Sequence, residues 1–327
     1  MTGCEFPGDS DLRDPASFLA IIGPTGVGKT SLSLALARVL EVGIISMDSR
    51  QIYRGMDVGT GKATPEERAQ VPHFGLDLRN PNERYSAGQF SRDARGWMKE
   101  IRGLGRIPLL VGGTGFFLKA LTDPMFSQPP MDRERLQRLR KFLNALSPED
   151  LRRYVGALDP NREALARMGG RQRSTRTVEM ALLTGRPLSW WHREGKPAEE
   201  PVKGVVAVLD LPRPVLYDRI NRRVERMVEE GLVEEVRGLL SAGFGPEDPG
   251  MTGAGYREMV TYLQGSLTLE QAVEEVQRSH RRYARRQLTW NRHQLPPGAV
   301  FLDGTLSTPE LVGRLLHAWG DSGRAPA

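Results

Sequence analysis

Residues 23–30 read Gly23, Pro24, Thr25, Gly26, Val27, Gly28, Lys29, Thr30, a complete G-x-x-x-x-G-K-S/T loop, and the apolar run from Phe18 to Ile22 leads straight into it. Glycines at this spacing let the backbone curl until successive N–H groups converge on an anion. Lys29 adds a point charge, and the Thr30 hydroxyl is a ligand for Mg²⁺. The helix that opens at Thr30 contributes its positive dipole end. The loop therefore binds a phosphate compound, with ATP or GTP as the default, and by itself says nothing of whether the phosphate is transferred or discarded.

Two further polar groups sit where a phosphate-binding sheet would present them. Asp48 follows Ile44-Ile45-Ser46-Met47 and precedes Ser49, Arg50 and Gln51. A carboxylate there can hold Mg²⁺ through water, act as a general base toward a hydroxyl or amine, or simply cap the next element. Its three neighbours supply a hydroxyl, a guanidinium and an amide suited to a base edge or a phosphate. Thr114 lies between Gly113 and Gly115 after Val111. It is either a hydroxyl presented by a tight turn that a ligand can approach closely, or a plain helix N-cap.

Basic residues form two surfaces. In the last long helical stretch Arg278, Arg282, Arg285 and Arg292 keep to one stripe, while Tyr283, Gln287 and Trp290 share roughly the opposite side. A second cluster, Arg171, Arg173 and Arg176 with Gln172, lies more than a hundred residues upstream. Together they suggest a clamp on a phosphate backbone; each alone is equally a solvated helix face. Trp190, Trp191 and Trp290 read as core more readily than as stacking platforms. His73, His192, His280 and His293 lack the spacing of metal ligands.

The elements that must position these groups are legible as apolar runs. Residues 18–22, 43–47, 107–111, 205–209 and 299–302 read as buried parallel strands, with helices over 30–40, 86–103, 215–241 and 268–293. This pattern predicts an α/β fold, a doubly wound parallel sheet, whose ligands bind beyond the strand carboxyl ends. The three polar loops fall at those ends. The arginine-rich stretch 125–200, flanked by Pro129, Pro130, Pro197 and Pro201, predicts a helical insertion domain. The expected division is a flexible tail over 1–15, a catalytic core over 16–124 and 201–327, and the insertion over 125–200.

The bulk numbers fit a polyanionic partner without requiring one. Of 327 residues, 46 are Lys or Arg and 40 Asp or Glu, a net charge of +6. A single cysteine, Cys4, excludes disulfides and Cys-based zinc sites within the chain, so a reducing, cytoplasmic location is expected. No apolar run reaches the ~18 residues of a membrane span, and the acidic first residues are unlike an export signal. Nothing in the chain demands a dimer, and a monomer is expected.

The ordered set of motifs resembles the tRNA dimethylallyltransferases, or isopentenyl-pyrophosphate:tRNA transferases. The resemblance is carried by Gly23 to Thr30, by the run from Asp48 to Thr60, by Tyr85-Ser86-Ala87 and by Val111 to Gly115. It continues through Arg219-Ile220 with Arg223 and Met227, Gly231-Leu232, Gly255 to Glu258, and Tyr283 to Trp290. It implies a P-loop NTPase-like sheet that transfers a dimethylallyl group from dimethylallyl diphosphate to N6 of adenine 37 beside the tRNA anticodon. The loop at 23–30 would then hold the departing diphosphate, with Mg²⁺ on Thr30, and no phosphoryl group would move.

By the same resemblance Asp48 takes the N6 proton, and Thr114 and Arg219 touch the diphosphate or its bridging oxygen. The RNA-contacting stretches map onto Asp48 to Gln51; Gln172, Arg173, Ser174, Thr175 and Arg176; and Thr252, Gly253, Ala254, Gly255, Tyr256 and Arg257. The last of them covers Arg285, Arg286, Gln287, Leu288, Thr289, Trp290, Asn291 and Arg292. The insertion would grip the anticodon stem-loop while the target base is flipped into a channel. Gly26-Val27, Phe116-Phe117 and His280 depart from the usual family residues, and the zinc finger of eukaryotic members is not expected with only Cys4. A small-molecule kinase, a prenyltransferase acting on free AMP and an RNA-remodelling ATPase share parts of this pattern.

Overall fold

The structure, a computed structural model, describes residues 18–127, 129–168 and 170–322; the tail expected over 1–15, with Cys4, lies outside them. Six strands, β1 (Leu19–Ile22), β2 (Val42–Met47), β3 (His73–Phe74), β4 (Ile107–Gly112), β5 (Val205–Asp210) and β6 (Val300–Asp303), form one sheet in the order β3-β2-β4-β1-β5-β6. Every pairing is parallel. The expected α/β doubly wound sheet is thus borne out. Its register decides the rest: Ile22 lies opposite Gly112, and Gly112 opposite Met47. The three polar loops therefore leave the sheet from one line of strand tips.

Helices α1 (Lys29–Ala37), α2 (Pro65–Gln70), α3 (Ala87–Gly103) and α4 (Gly115–Thr122) belong to the first half of the sheet. Next come α5 (Arg133–Ala145), α6 (Pro148–Leu158), α7 (Glu163–Met168), α8 (Arg171–Thr184) and α9 (Leu188–Glu194). The remaining helices are α10 (Arg213–Glu229), α11 (Leu232–Ser241), α12 (Tyr256–Leu263), α13 (Leu269–His293) and α14 (Thr308–Ser322). β1 is buried along its whole length, as a strand covered on both faces must be. Leu19, Ile21, Leu109 and Leu209 pack with Leu32 and Leu36 of α1 and with Leu311, Leu315 and Trp319 of α14.

A second apolar core joins Ile52, Tyr53 and Met56, on the loop after β2, to Val224, Met227, Leu232, Tyr256 and Val276 of α10 to α13. The single helix expected over 215–241 is two helices, because Gly231 takes φ 100°, a left-handed value that ends α10 and starts α11 at a new angle. The short strand β3, paired through His73 and Phe74 to Ile44 and Ile45, has no counterpart among the expected strands.

Pro124–Pro201 forms a compact unit of its own. Leu143, Leu151, Val155, Ala166 and Val178 make its core. Several of its arginines are spent inside it. Arg171 Nη2 donates to the carbonyls of Leu143, Asn144 and Leu146 at 2.6, 2.8 and 2.7 Å, which caps the carboxyl end of α5. Buried Glu179 pairs with Arg140 at 2.6 Å and Arg176 at 3.6 Å. Ser174 is buried, whereas Gln172 and Arg173 face outward at the start of α8.

Candidate active site

The loop 23–30 has the conformation its glycines predict. Gly26 and Gly28 take φ 80° and 105°, and Gly28 ends the loop in the left-handed region at the N-cap of α1. A Cβ on Gly23 would stand 2.5 Å from Leu209 O, so only glycine lets the loop pass over β5. Val27 turns inward to the core, while Thr25, Lys29 and Thr30 line the cavity above. Lys29 Nζ donates to Gly23 O at 3.0 Å and Pro24 O at 2.8 Å. Burial brings its pKa down to about 8, against the pull of Asp48 and with the help of the neighbouring Arg223 cation.

Asp48 stands at the tip of β2. Its Oδ1 accepts the Arg50 N–H at 2.8 Å, a local turn that fixes the carboxylate. Arg50 Nη1 donates to Pro249 O at 2.5 Å, tying this loop to the segment before α12. Gln51 is held on both sides: Oε1 accepts from Ser46 Oγ at 2.8 Å and Nε2 donates to Gly61 O at 3.1 Å. The loop's far end is pinned by Lys62, whose buried ammonium donates to Tyr53 O and Asp77 at 2.7 Å and pairs with Asp57.

Glu235 of α11 completes the frame. It accepts the N–H groups of Asp57, Val58 and Gly59 at 2.7, 2.7 and 3.0 Å and the Tyr256 hydroxyl at 2.6 Å.

Thr114 meets the same loop. Its N–H donates to Met47 O at 3.1 Å, and its Oγ1 accepts the Ser49 N–H at 3.1 Å. The Tyr283 hydroxyl is within hydrogen-bonding reach of Thr114, and burial beside Asp48 raises the tyrosine pKa to about 12. Arg219 of α10 approaches the phosphate loop, its Nη1 3.5 Å from Val27 O. Arg223, one turn on, donates to Thr60 O at 3.1 Å, and burial lowers its pKa against the opposing pull of Asp48. Only its family motif marks Arg223 in the sequence; the spacing of four from Arg219, which puts both on one helix face, is the available physical signal.

Of these groups Lys29, Asp48, Arg50, Gln51, Arg219, Arg223 and Tyr283 line one cavity of about 810 Å³, with Gly112 but not Thr114 on its wall. Among the described residues, its walls carry Lys29, Arg50, Arg219, Arg222, Arg223, Arg226, Arg257, Arg282 and Arg286 against the single carboxylate of Asp48. Thr252, Ala254 and Tyr256 also line it, whereas Gly253 and Gly255 are buried beneath. Of the expected α13 residues, Arg285, Arg286, Thr289 and Arg292 are exposed, Trp290 is half-buried, and Gln287, Leu288 and Asn291 are buried. The expected stretch 172–176 belongs to the Pro124–Pro201 unit. His280 lines the cavity too, with burial holding its pKa down at about 4.

Such a cavity suits a polyanion whose charge grows during reaction, with one base near it. The chain is similar to known proteins in both sequence and fold. The pattern of the IPP transferase family matches residues 51–294, and that of an isopentenyl transferase family matches residues 16–83. A tRNA dimethylallyltransferase of Syntrophobacter fumaroxidans is 42% identical over 92% of this chain and 87% of its own. One of Geobacillus thermodenitrificans is 41% identical over 85% and 88%.

Among solved structures, a tRNA isopentenylpyrophosphate transferase from Bacillus halodurans superposes with a TM-score of 0.68 at 35% identity, covering 94% of this chain and 98% of that one. A eukaryotic dimethylallyltransferase acting on tRNA gives 0.74 at 26%, covering 88% and 74%. With the family pattern matched over residues 51–294 and relatives about 40% identical across most of its length, the chain belongs to the IPP transferase family and is a prenyltransferase of the tRNA dimethylallyltransferase kind.

Proposed function

We infer that the cavity at the strand tips is where this enzyme moves a dimethylallyl group from dimethylallyl diphosphate to N6 of adenine 37 in tRNA, releasing diphosphate. The observation that carries the reading is the cavity wall itself, which sets nine cationic side chains around the phosphate loop against one carboxylate. A diphosphate leaving group gains charge as its C–O bond breaks, and preorganised cations and N–H groups stabilise that charge more than they stabilise the bound substrate. The phosphate loop, Lys29 and Arg219 would hold the diphosphate.

Asp48 would accept the N6 proton as the new C–N bond forms. Its carboxylate is already oriented by the Arg50 N–H through Oδ1, so Oδ2 remains for the proton. Thr114, whose Oγ1 is fixed by the Ser49 N–H, would position the bridging oxygen. Arg50, Arg257 and Arg286 at the rim, with the outward arginines of α13, would take RNA phosphates. Gln172 and Arg173, exposed on the second unit, would serve the anticodon stem.

The lining suits Mg²⁺: Thr30 offers a hard hydroxyl oxygen at the cavity wall, and this ion is commonly held by one or two protein oxygens with the rest from water and phosphate. The metal would neutralise diphosphate charge.

The test is prenylation of an anticodon stem-loop from labelled dimethylallyl diphosphate, with AMP as competing acceptor and labelled ATP as competing donor. Label in N6-dimethylallyladenosine of the stem-loop is expected. Transfer to AMP alone, or phosphoryl transfer from ATP without prenylation, would refute the reading.

A further inference from the structure

The family resemblance places Gln287 among RNA-contacting residues, yet its side chain does not face outward. It is buried at 5% exposure, and both ends of its amide are committed. Oε1 accepts the Thr25 N–H of the phosphate loop at 3.0 Å, and Nε2 donates to Gly113 O at 2.9 Å. A Cβ on Gly113 would come within 2.1 Å of that Nε2 and 3.1 Å of Gly23 O. The amide therefore fills the space where the tips of β1 and β4 meet, and glycine at 113 is what makes room for it. Its neighbours on the same face of α13 repeat the arrangement. Tyr283, one turn before, reaches Thr114, and Trp290, one turn after, sits where a Cβ on Gly115 would stand 2.1 Å from its Nε1.

We propose that Gln287 is a positioning residue for the diphosphate cradle: from α13 it holds the Thr25 and Gly113 backbones in register. The proposal rests on the diphosphate reading of the loop given above. The physical reason is economy of freedom. A phosphate loop binds an anion with backbone N–H groups whose directions must be set before the ligand arrives, and Thr25 is the loop residue whose N–H is fixed by a side chain from another element. Loss of the amide frees the turn and leaves a donor and an acceptor at the strand tips without their partner.

The test uses the full chain and two variants that remove the same interaction by different routes, Gln287→Met and Gly113→Ala, each checked for folding by thermal melting. Affinity for inorganic pyrophosphate with Mg²⁺ is measured by calorimetry, affinity for an anticodon stem-loop by fluorescence anisotropy, and KM for dimethylallyl diphosphate by steady-state kinetics. Each variant is expected to weaken pyrophosphate binding and raise that KM about tenfold, as for loss of one or two hydrogen bonds, with stem-loop affinity kept within about twofold. In the double variant the losses do not add, because one interaction is removed twice. Unchanged pyrophosphate affinity in either folded variant, additive losses, or stem-loop affinity falling in step would overturn the proposal. Wild-type protein that binds no pyrophosphate would overturn the reading of the loop itself, a separate and recognisable outcome.

Discussion

The Ser49 N–H donates to Thr114 Oγ1 at 3.1 Å, and this hydrogen bond makes one unit of the loops that follow β2 and β4. Asp48 sits at the edge of that unit with its Oδ1 engaged by the Arg50 N–H. The roles proposed for Asp48, proton acceptance, and for Thr114, leaving-group positioning, are thus geometrically coupled: a change that moves one backbone moves the other.

Asp48→Asn isolates the base function better than alanine does, because the asparagine carbonyl can keep the Arg50 N–H bond. Turnover is expected to fall by about 10²- to 10⁴-fold, the usual loss when a general base is removed, with stem-loop affinity preserved. Single-turnover rates together with anisotropy check it; parallel loss of rate and binding would contradict the base role.

Lys29 gives a pH signature. Its pKa stands at about 8 rather than 10.5 in the folded protein. Above pH 8 the folded protein therefore holds fewer protons here than the unfolded chain. This group's contribution to stability accordingly rises with pH between about 8 and 10.5. A diphosphate beside Lys29 favours the charged form and draws a proton in. Pyrophosphate binding at pH 8.5 should take up more protons in wild type than in Lys29→Met, as read by calorimetry in two buffers of different ionisation enthalpy. Comparing the two proteins cancels the ligand's own ionisation.

Much of this site is legible from residue order, and what is not has physical causes. β1, β2, β4 and β5 announce themselves because strands buried on both faces must be apolar runs, whereas β6, expected to be buried as well, is an edge strand with Val300 and Phe301 exposed and only Leu302 buried. β3 does not announce itself, since His73 and Phe74 are too few to show a period and are strand only by pairing with Ile44 and Ile45. Gly231 sits inside a periodic helical stretch whose period runs straight through it, although its φ of 100° breaks the helix. The motifs at 23–30, 48–51 and 112–115 are visible because each is a short polar or glycine-rich run directly after an apolar strand. Partners that act through the backbone are not: Glu235 gathers three N–H groups from residues some 180 positions away, and no local pattern encodes such an interaction.

His280 predicts acid sensitivity. Burial and Arg223 hold its pKa at about 4, despite the opposing pull of Glu258 and the Ala254 carbonyl. Between about 4 and 6.5 the unfolded chain binds the proton that the folded protein refuses, so stability falls as pH drops through this range. His280→Gln removes that contribution. From pH 7 to pH 5 the variant should lose roughly 1–2 kcal/mol less stability than wild type in urea unfolding. Equal losses would show that the ring is protonated in the fold without penalty.

Glu235→Ala deprives Asp57, Val58 and Gly59 N–H groups and the buried Tyr256 hydroxyl of their common acceptor. A destabilisation of about 2–4 kcal/mol is expected, given that each stranded polar group costs roughly 1–3 kcal/mol and part of the loop can turn to water. Activity should fall with it even under conditions where the variant is folded, because the same loop begins at Asp48. Chemical denaturation and activity at low temperature separate the two effects.

Arginine content alone does not mark an RNA surface, and two substitutions make the distinction measurable. Arg171 spends its guanidinium on the carbonyls of Leu143, Asn144 and Leu146 at the end of α5. Arg171→Ala should therefore lower the stability of the Pro124–Pro201 unit while leaving the salt dependence of stem-loop binding unchanged. Arg285 is exposed on the outward face of α13, opposite the stripe of Tyr283, Gln287 and Trp290. Arg285→Ala should leave the melting temperature unchanged and reduce the slope of log affinity against log salt by about one, the signature of one fewer phosphate neutralised. Reversal of these two outcomes would place the RNA on the wrong side of α13 and assign the phosphate to Arg171 instead.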